Sequence, residues 1–117
     1  MSIRRIVPNI NSANPSASKP FYEKVLGLDP AMDMGWIVTL ASPSNPTAQI
    51  TLLRGPASAA PHPDLSIEVA DVDAVHAKAI ALSLQIVYPL TDEPWGVRRF
   101  FVTDPNGVVI NVVSHRK

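Results

Sequence analysis

Apolar and polar positions alternate along this chain in short runs, and two longer stretches break that rhythm. Ile3 to Ile10 reads as a strand, with Pro8 suggesting an edge or a bulge. Asn11 to Pro15 reads as a loop. A first helix is predicted from Ser16 to Leu26, stopped by Gly27 in the left-handed conformation. Phe21, Val25 and Leu28 are expected on its buried side. Pro20 implies either a later start to the regular helix or a kink. Asp29 to Met34 is a short connection or weak strand. Trp36 to Ala41 is a strand, Ser42 to Thr47 a loop, and Gln49 to Arg54 a strand. Gly55 to Pro63, rich in glycine, alanine and proline, is a linker near the midpoint.

The pattern then starts again. Leu65 to Val69 is a strand, and Asp71 caps a second helix predicted from Val72 to Leu82. Asp73 lies in its first turn, where the helix dipole favours a carboxylate. Val72, Val75, Ala79 and Leu82 form the expected apolar stripe. Leu84 to Tyr88 is a strand and Pro89 to Pro94 a polar loop. Two strands, Val97 to Thr103 and Val108 to Val113, flank Asp104-Pro105-Asn106-Gly107, a sequence that suits a tight reversal. Asn111 is a lone amide in this apolar strand, so it must find a partner or face a wet cavity.

The halves repeat. Leu26-Gly27-Leu28 corresponds to Leu82-Ser83-Leu84, Asn14 to Asp71, and Gln49–Leu53 to Val109–Val113. Each half runs strand, helix, three strands. The expected fold is α+β: two tandem βαβββ modules, about residues 1–56 and 62–117, forming curved mixed sheets around a cavity within one domain.

Composition narrows the function. The 117 residues are 46% hydrophobic and 17% charged with no net charge, which fits a globular chain with its own core. No basic stripe is present to neutralise phosphates, so nucleic acid is not an expected partner. The absence of cysteine excludes disulfides, thiol catalysis and thiolate metal sites. No signal peptide or membrane span is legible, and a cytoplasmic location is expected. The three histidines, His62, His76 and His115, have no metal-ligand spacing, and His76 is expected in solvent beside Lys78.

Two segments resemble the signatures of the vicinal oxygen chelate superfamily, which includes glyoxalase I, bleomycin-resistance proteins and extradiol dioxygenases. These are Phe21-Tyr22-Glu23-Lys24-Val25-Leu26-Gly27-Leu28 and the stretch from Trp95-Gly96 through Phe100-Phe101 to Asp104-Pro105-Asn106-Gly107. The resemblance covers essentially the whole chain. It implies the duplicated fold and, in metal-dependent members, four ion ligands, two from each module. Those positions fall here on Val7 (or Pro8), Thr51, Asp64 and Asn111. One carboxylate and one amide do not make a divalent-ion site. The resemblance therefore implies a fold retained and a metal lost, as in the bleomycin-resistance branch, whose members bind a drug as homodimers.

The expected role is metal-independent binding of a small aromatic or partly charged molecule, with no cofactor, by a homodimer. The ligand-binding candidates are Trp36, Thr51, Asp64, Trp95, Arg99, Phe101 and Asn111. Alternation along the last hairpin places Phe101 and Arg99 on the face of Asn111. Arg99 offers a bidentate anion contact and the tryptophans a stacking surface. The alternative is a superfamily enzyme, a glyoxalase I-like lyase or isomerase or a dioxygenase, with a divalent metal. A further alternative is a metal-free enzyme with Asp64 or Glu68 as base.

Overall fold

The computed structural model describes residues 2–55 and 61–115; part of the expected linker, residues 56–60, lies outside them. The chain forms β1 (Ile3–Asn11), α1 (Pro15–Leu26), β2 (Asp29–Asp33), β3 (Ile37–Ser42) and β4 (Asn45–Leu53). The same order follows in β5 (Leu65–Val69), α2 (Val72–Ala81), β6 (Ile86–Asp92), β7 (Val97–Thr103) and β8 (Val109–His115).

The strands form one curved, unclosed eight-stranded sheet in the order β2-β3-β4-β1-β5-β8-β7-β6. The two half-sheets are therefore continuous, joined edge to edge by the antiparallel β1–β5 pair. Each supplies the backbone donors and acceptors that the other's first strand would leave bare. Each module also closes on itself with a parallel pair, β1 with β4 and β5 with β8.

Local chemistry repeats with the topology. Asn14 and Asp71 each accept a backbone N–H three residues on, from Ala17 and Ala74, so both helices start on the same capping contact. Gly27 ends α1 at φ 70°, and Ser83 follows α2 at φ 57°. Ser83 is the one non-glycine residue with positive φ among the described residues. A left-handed L-residue costs about 1–2 kcal/mol, partly offset by the unfolded-chain entropy that glycine would add. Ser83→Gly is thus expected to stabilise the fold by about 0.5–1 kcal/mol, read from the urea midpoint at unchanged slope.

Both helices cover one face of the sheet. Under α2, the buried Val69, Val72, Ala79, Phe100 and Val112 form a core, with Ile67, Val75 and Ile110 against it. Under α1, Val38, Leu40 and Leu52 do the same, with Tyr22 and Leu28 against them. Among the described residues, no helix covers the opposite face. Of the expected buried side chains of α1, Phe21 and Val25 are instead 55% and 64% exposed. Tyr22 takes the core position, and Phe21 meets its ring edge-on at 5.1 Å. Leu82 is exposed because α2 ends at Ala81 and the chain turns away at Ser83. His76, expected in solvent, is half-buried with its ring edge-to-face on Phe100 at 4.9 Å.

Three proline expectations change. β1 is central and not an edge; Pro8 fits because the Asn9 N–H points to β5, so the amide that residue 8 lacks faces β4, whose register begins only at Asn9. β6 runs on through Pro89, where a loop was expected, because it is an edge strand with irregular register on either side of that residue. β4 likewise starts at Asn45, within the expected loop, since β1 accompanies it only from Thr51 to Leu53 and Pro46 meets a free edge. α1 extends across Pro20, with Pro15 in its first turn.

Candidate functional site

The helix-free face is built by odd-numbered residues of β1, β4, β7 and β8 and even-numbered residues of β5. Strand alternation selects them, and the register sets them side by side. Asn111 lies opposite Phe101 on β7 and beside Ser66 on β5; Ser66 lies opposite Val7 on β1. Asn9, two residues on from Val7, lies beside Thr51 of β4, which lies opposite Thr39 of β3.

The centre of this face is polar but uncharged. Asn9 Nδ2 and Asn111 Nδ2 both donate to Ser66 Oγ, at 2.9 and 3.0 Å. That hydroxyl accepts twice, which leaves its own proton to give. Asn111 is 8% exposed, and its Oδ1 has no hydrogen-bond partner among the described residues. The cluster therefore presents one unused acceptor and one unused donor. Thr39 and Thr51 share a hydroxyl–hydroxyl bond of 3.0 Å beside it.

Charges lie to either side of this centre, mostly paired. In the outer hairpin of the second module, Arg99 is enclosed by three rings: its guanidinium carbon lies 5.1 Å from the centroid of Tyr88, 5.2 Å from Trp95 and 4.9 Å from Phe101. Glu93 closes this cage. Its Oε2 accepts from Arg99 Nε at 2.7 Å and from the Tyr88 hydroxyl at 2.9 Å. Arg99, expected as an anion contact, is thus neutralised by a carboxylate of its own chain. Elsewhere on this face Glu68 links Arg5, at 2.9 Å, to His115, also at 2.9 Å.

The expected ligand-binding residues divide. Thr51, Phe101 and Asn111 belong to the central cluster and its wall. Arg99 and Trp95 belong to the cage, where the Trp95 ring is 63% exposed at the β6–β7 turn. Trp36 sits in the matching β2–β3 turn of the first module. Asp64 lies at the entrance of β5, where its Oδ2 accepts the Val109 N–H at 3.0 Å and holds the start of β8. Four participants were missed: Asn9, Ser66, Tyr88 and Glu93. Asn9 and Ser66 lie two residues beyond Val7 and Asp64, so the strand period carried to its next inward position would have found them. Glu93 fell in an expected loop.

The residues at the family's ion positions do not fit a divalent metal. Val7 has no donor atom, the Thr51 hydroxyl is engaged by Thr39, and Asn111 is neutral. Among the described residues no group of three or more His, Cys, Asp or Glu is placed to hold an ion. No helix among them is long and apolar enough to cross a membrane.

The family model for the glyoxalase/bleomycin resistance protein/dioxygenase superfamily matches residues 3–112. No curated protein matches the sequence. Among solved structures, a superfamily member from Vibrio splendidus 12B01 aligns at TM-score 0.70 with 16% identity, over 97% of this chain and 99% of that one. Methylmalonyl-CoA epimerase from Mycobacterium tuberculosis aligns at 0.69 with 18% identity, over 99% and 89%. The Mn(II)-bound glyoxalase from Novosphingobium aromaticivorans aligns at 0.65 with 20% identity, over 97% of this chain and 38% of that one. At such identities the likeness is one of fold.

Proposed function

Because the chain belongs to the glyoxalase/bleomycin resistance protein/dioxygenase superfamily, we propose that it binds a small organic molecule on the helix-free face of its sheet without a metal ion, as sequestering members of the superfamily do. The observation that carries this is Asn111: a buried amide whose Oδ1 has no partner among the described residues. A buried unpaired polar atom costs about 1–3 kcal/mol, so a site that keeps one has a use for it when a ligand arrives. With the spare proton of Ser66 it matches a neutral donor–acceptor group such as an amide, lactam or hydroxamate. Phe101 and Val113, each beside or opposite Asn111 on this face, supply the apolar wall. The Glu93–Arg99 pair adds no net charge, so the part of the ligand that meets this cage is expected to be neutral and aromatic.

The test is a thermal-shift screen of amide-bearing aromatic compounds, antibiotics included, followed by titration of the hits into Asn111→Leu. That variant is expected to keep its stability within about 1 kcal/mol and to lose roughly tenfold to a hundredfold in affinity. Unchanged affinity would remove Asn111 from the site. Metal content of the purified protein supplies the other arm: stoichiometric manganese, zinc or nickel, or a chelator-sensitive lyase or dioxygenase activity, would overturn metal-independent binding.

The same reading includes a second copy of the chain. On the helix face, Ile6 and Ile10 of β1 stay 51% and 38% exposed between the helices, and Phe21 and Val25 are exposed on one side of α1. Exposed apolar side chains of this size favour self-association. Light scattering at micromolar concentration should report a dimer, and a monodisperse monomer would refute it.

A further inference from the structure

We propose that this face carries an oxyanion-binding subsite, separate from the amide cluster, where β1 bulges against β5. Ile3 lies opposite Val69 and Arg5 opposite Glu68, so β1 has one residue more than β5 between these pairs. A bulge re-aims side chains. Regular alternation would send two consecutive arginines to opposite faces. Here Arg4 and Arg5 line the same hollow, of about 420 Å³, with Thr47, Gln49, Glu68 and His115.

The charges in the hollow do not balance. Each Glu68 oxygen lies in an ion pair, Oε1 with Arg5 Nε at 2.9 Å and Oε2 with His115 Nδ1 at 2.9 Å, although the buried Arg5 Nε–H lacks hydrogen-bond geometry to any described residue. Arg5 is held a second time, its Nη1 donating to Gln49 Oε1 at 2.9 Å. The Arg4 guanidinium has no hydrogen bond or ion pair with any described residue. One carboxylate thus shares the hollow with two arginines, and the unpaired one is a planar fork suited to a carboxylate or phosphate. His115 lines the same hollow with Nδ1 fixed on Glu68, which leaves Nε2 for the guest: an acceptor when neutral, a second donor as imidazolium. The hollow therefore selects a small molecule bearing a carboxylate or phosphate group.

This inference stands on the bulge and the charge count, and not on Asn111. Glu68 is two residues along β5 from Ser66, about 7 Å, so a ligand with an amide at the cluster and an acidic tail spans both. The probes are inorganic phosphate and acetate, titrated into nitrogen-15-labelled protein at low salt. The readouts are the Arg4 Nε–H and the His115 ring resonances. Saturable shifts at roughly millimolar probe are expected, with Arg4→Gln weakening binding about tenfold and Arg54→Gln, an exposed arginine outside the hollow, leaving it unchanged. The preferred probe identifies the source of the oxyanion. Shifts that fail to saturate, that sodium chloride reproduces, or that survive Arg4→Gln overturn the proposal. Its failure would leave the amide-cluster reading intact, since Asn111→Leu is scored on different ligands.

Discussion

Phe100→Ala is expected to cost about 3–5 kcal/mol of folding stability while leaving ligand affinity unchanged in the molecules that stay folded. Phe100 is 0% exposed in the core under α2, where His76 meets its ring edge-on. Removing the ring leaves a cavity that a sheet pinned on both sides cannot collapse to fill. Against a total of roughly 5–15 kcal/mol for a domain, the variant should sit near the edge of folding at room temperature. Its neighbour gives the contrast. Phe101→Ala should cost a similar amount, because Phe101 is also buried, at 2% exposed. Its ring, however, lies on the other face, 4.9 Å from Tyr88 and against Arg99. That substitution should therefore also weaken any ligand held at Asn111, its cross-strand partner. Urea unfolding and ligand titration on both variants separate the two effects. Equal losses of affinity would mean that the helix-free face is not the binding face.

The second large effect is at Glu93. Its side chain is 8% exposed and closes the cage around Arg99, which is 20% exposed. Glu93→Gln removes the charge and keeps the shape, leaving a guanidinium among three rings with no carboxylate. Stripping one partner from a fully buried pair costs about 3–5 kcal/mol; because Arg99 retains some contact with water, about 2 kcal/mol is expected here. Arg99→Met should cost less, since the thioether side chain is an apolar guest for an aromatic cage. The double variant should recover most of the Glu93→Gln loss, giving a coupling of roughly 2 kcal/mol in the cycle. Trp95 lies against the same guanidinium, and its fluorescence should change in both single variants. If Glu93→Gln costs under about 0.5 kcal/mol, the pair is a surface contact and the cage is not closed.

Other parts of the molecule rest on ordinary surface chemistry. Arg98 ties α2 to β6 through Asp73 and Asp92, at 2.9 and 3.0 Å. The Arg98 hydrogen bonds hold the Asp73 carboxyl below its ordinary range. A depressed folded value contributes stability above the unfolded carboxylate value and loses it as the pH falls through the folded one, so this tie weakens only in acid. The pair is open to solvent, and its contribution is small.

How much of this was legible in the sequence depended on whether the cause was local. Caps and stops are local: Asn14, Asp71, Gly27 and the Asp104–Gly107 turn each act through their own backbone within a few residues. Asp104 Oδ1 accepts the N–H groups of Asn106 and Val108 at 2.8 and 3.0 Å, with Gly107 at φ 83°. The repeat of these signals was enough to predict the order strand, helix, three strands, twice. Alternation likewise placed Asn111, Phe101 and Arg99 together, because a strand has period two whatever it pairs with.

What lay out of reach needed a partner from another part of the chain. Alternation separates Phe100 from Phe101 but does not say which face α2 will cover; packing against Val69, Val72 and Val112 decides that. The turn of α1 that exposes Phe21 and Val25 is settled by the shape of the Val38–Leu40–Leu52 surface beneath it. Pro46 and Pro89 read as loop residues and Pro8 as the mark of an edge or a bulge, because the sequence does not show where a strand lacks a partner for one backbone amide. Ser66 became the hub of the amide cluster only when β1, β5 and β8 were laid side by side. The extra residue that lets Arg4 and Arg5 line one hollow is likewise a property of the β1–β5 register. By itself the chain's hydrogen-bonding and turn chemistry dictated the elements and their duplication. Register, burial and the balance of charge between strands far apart in sequence were decided by the tertiary structure, because each is a relation between segments that no single segment contains.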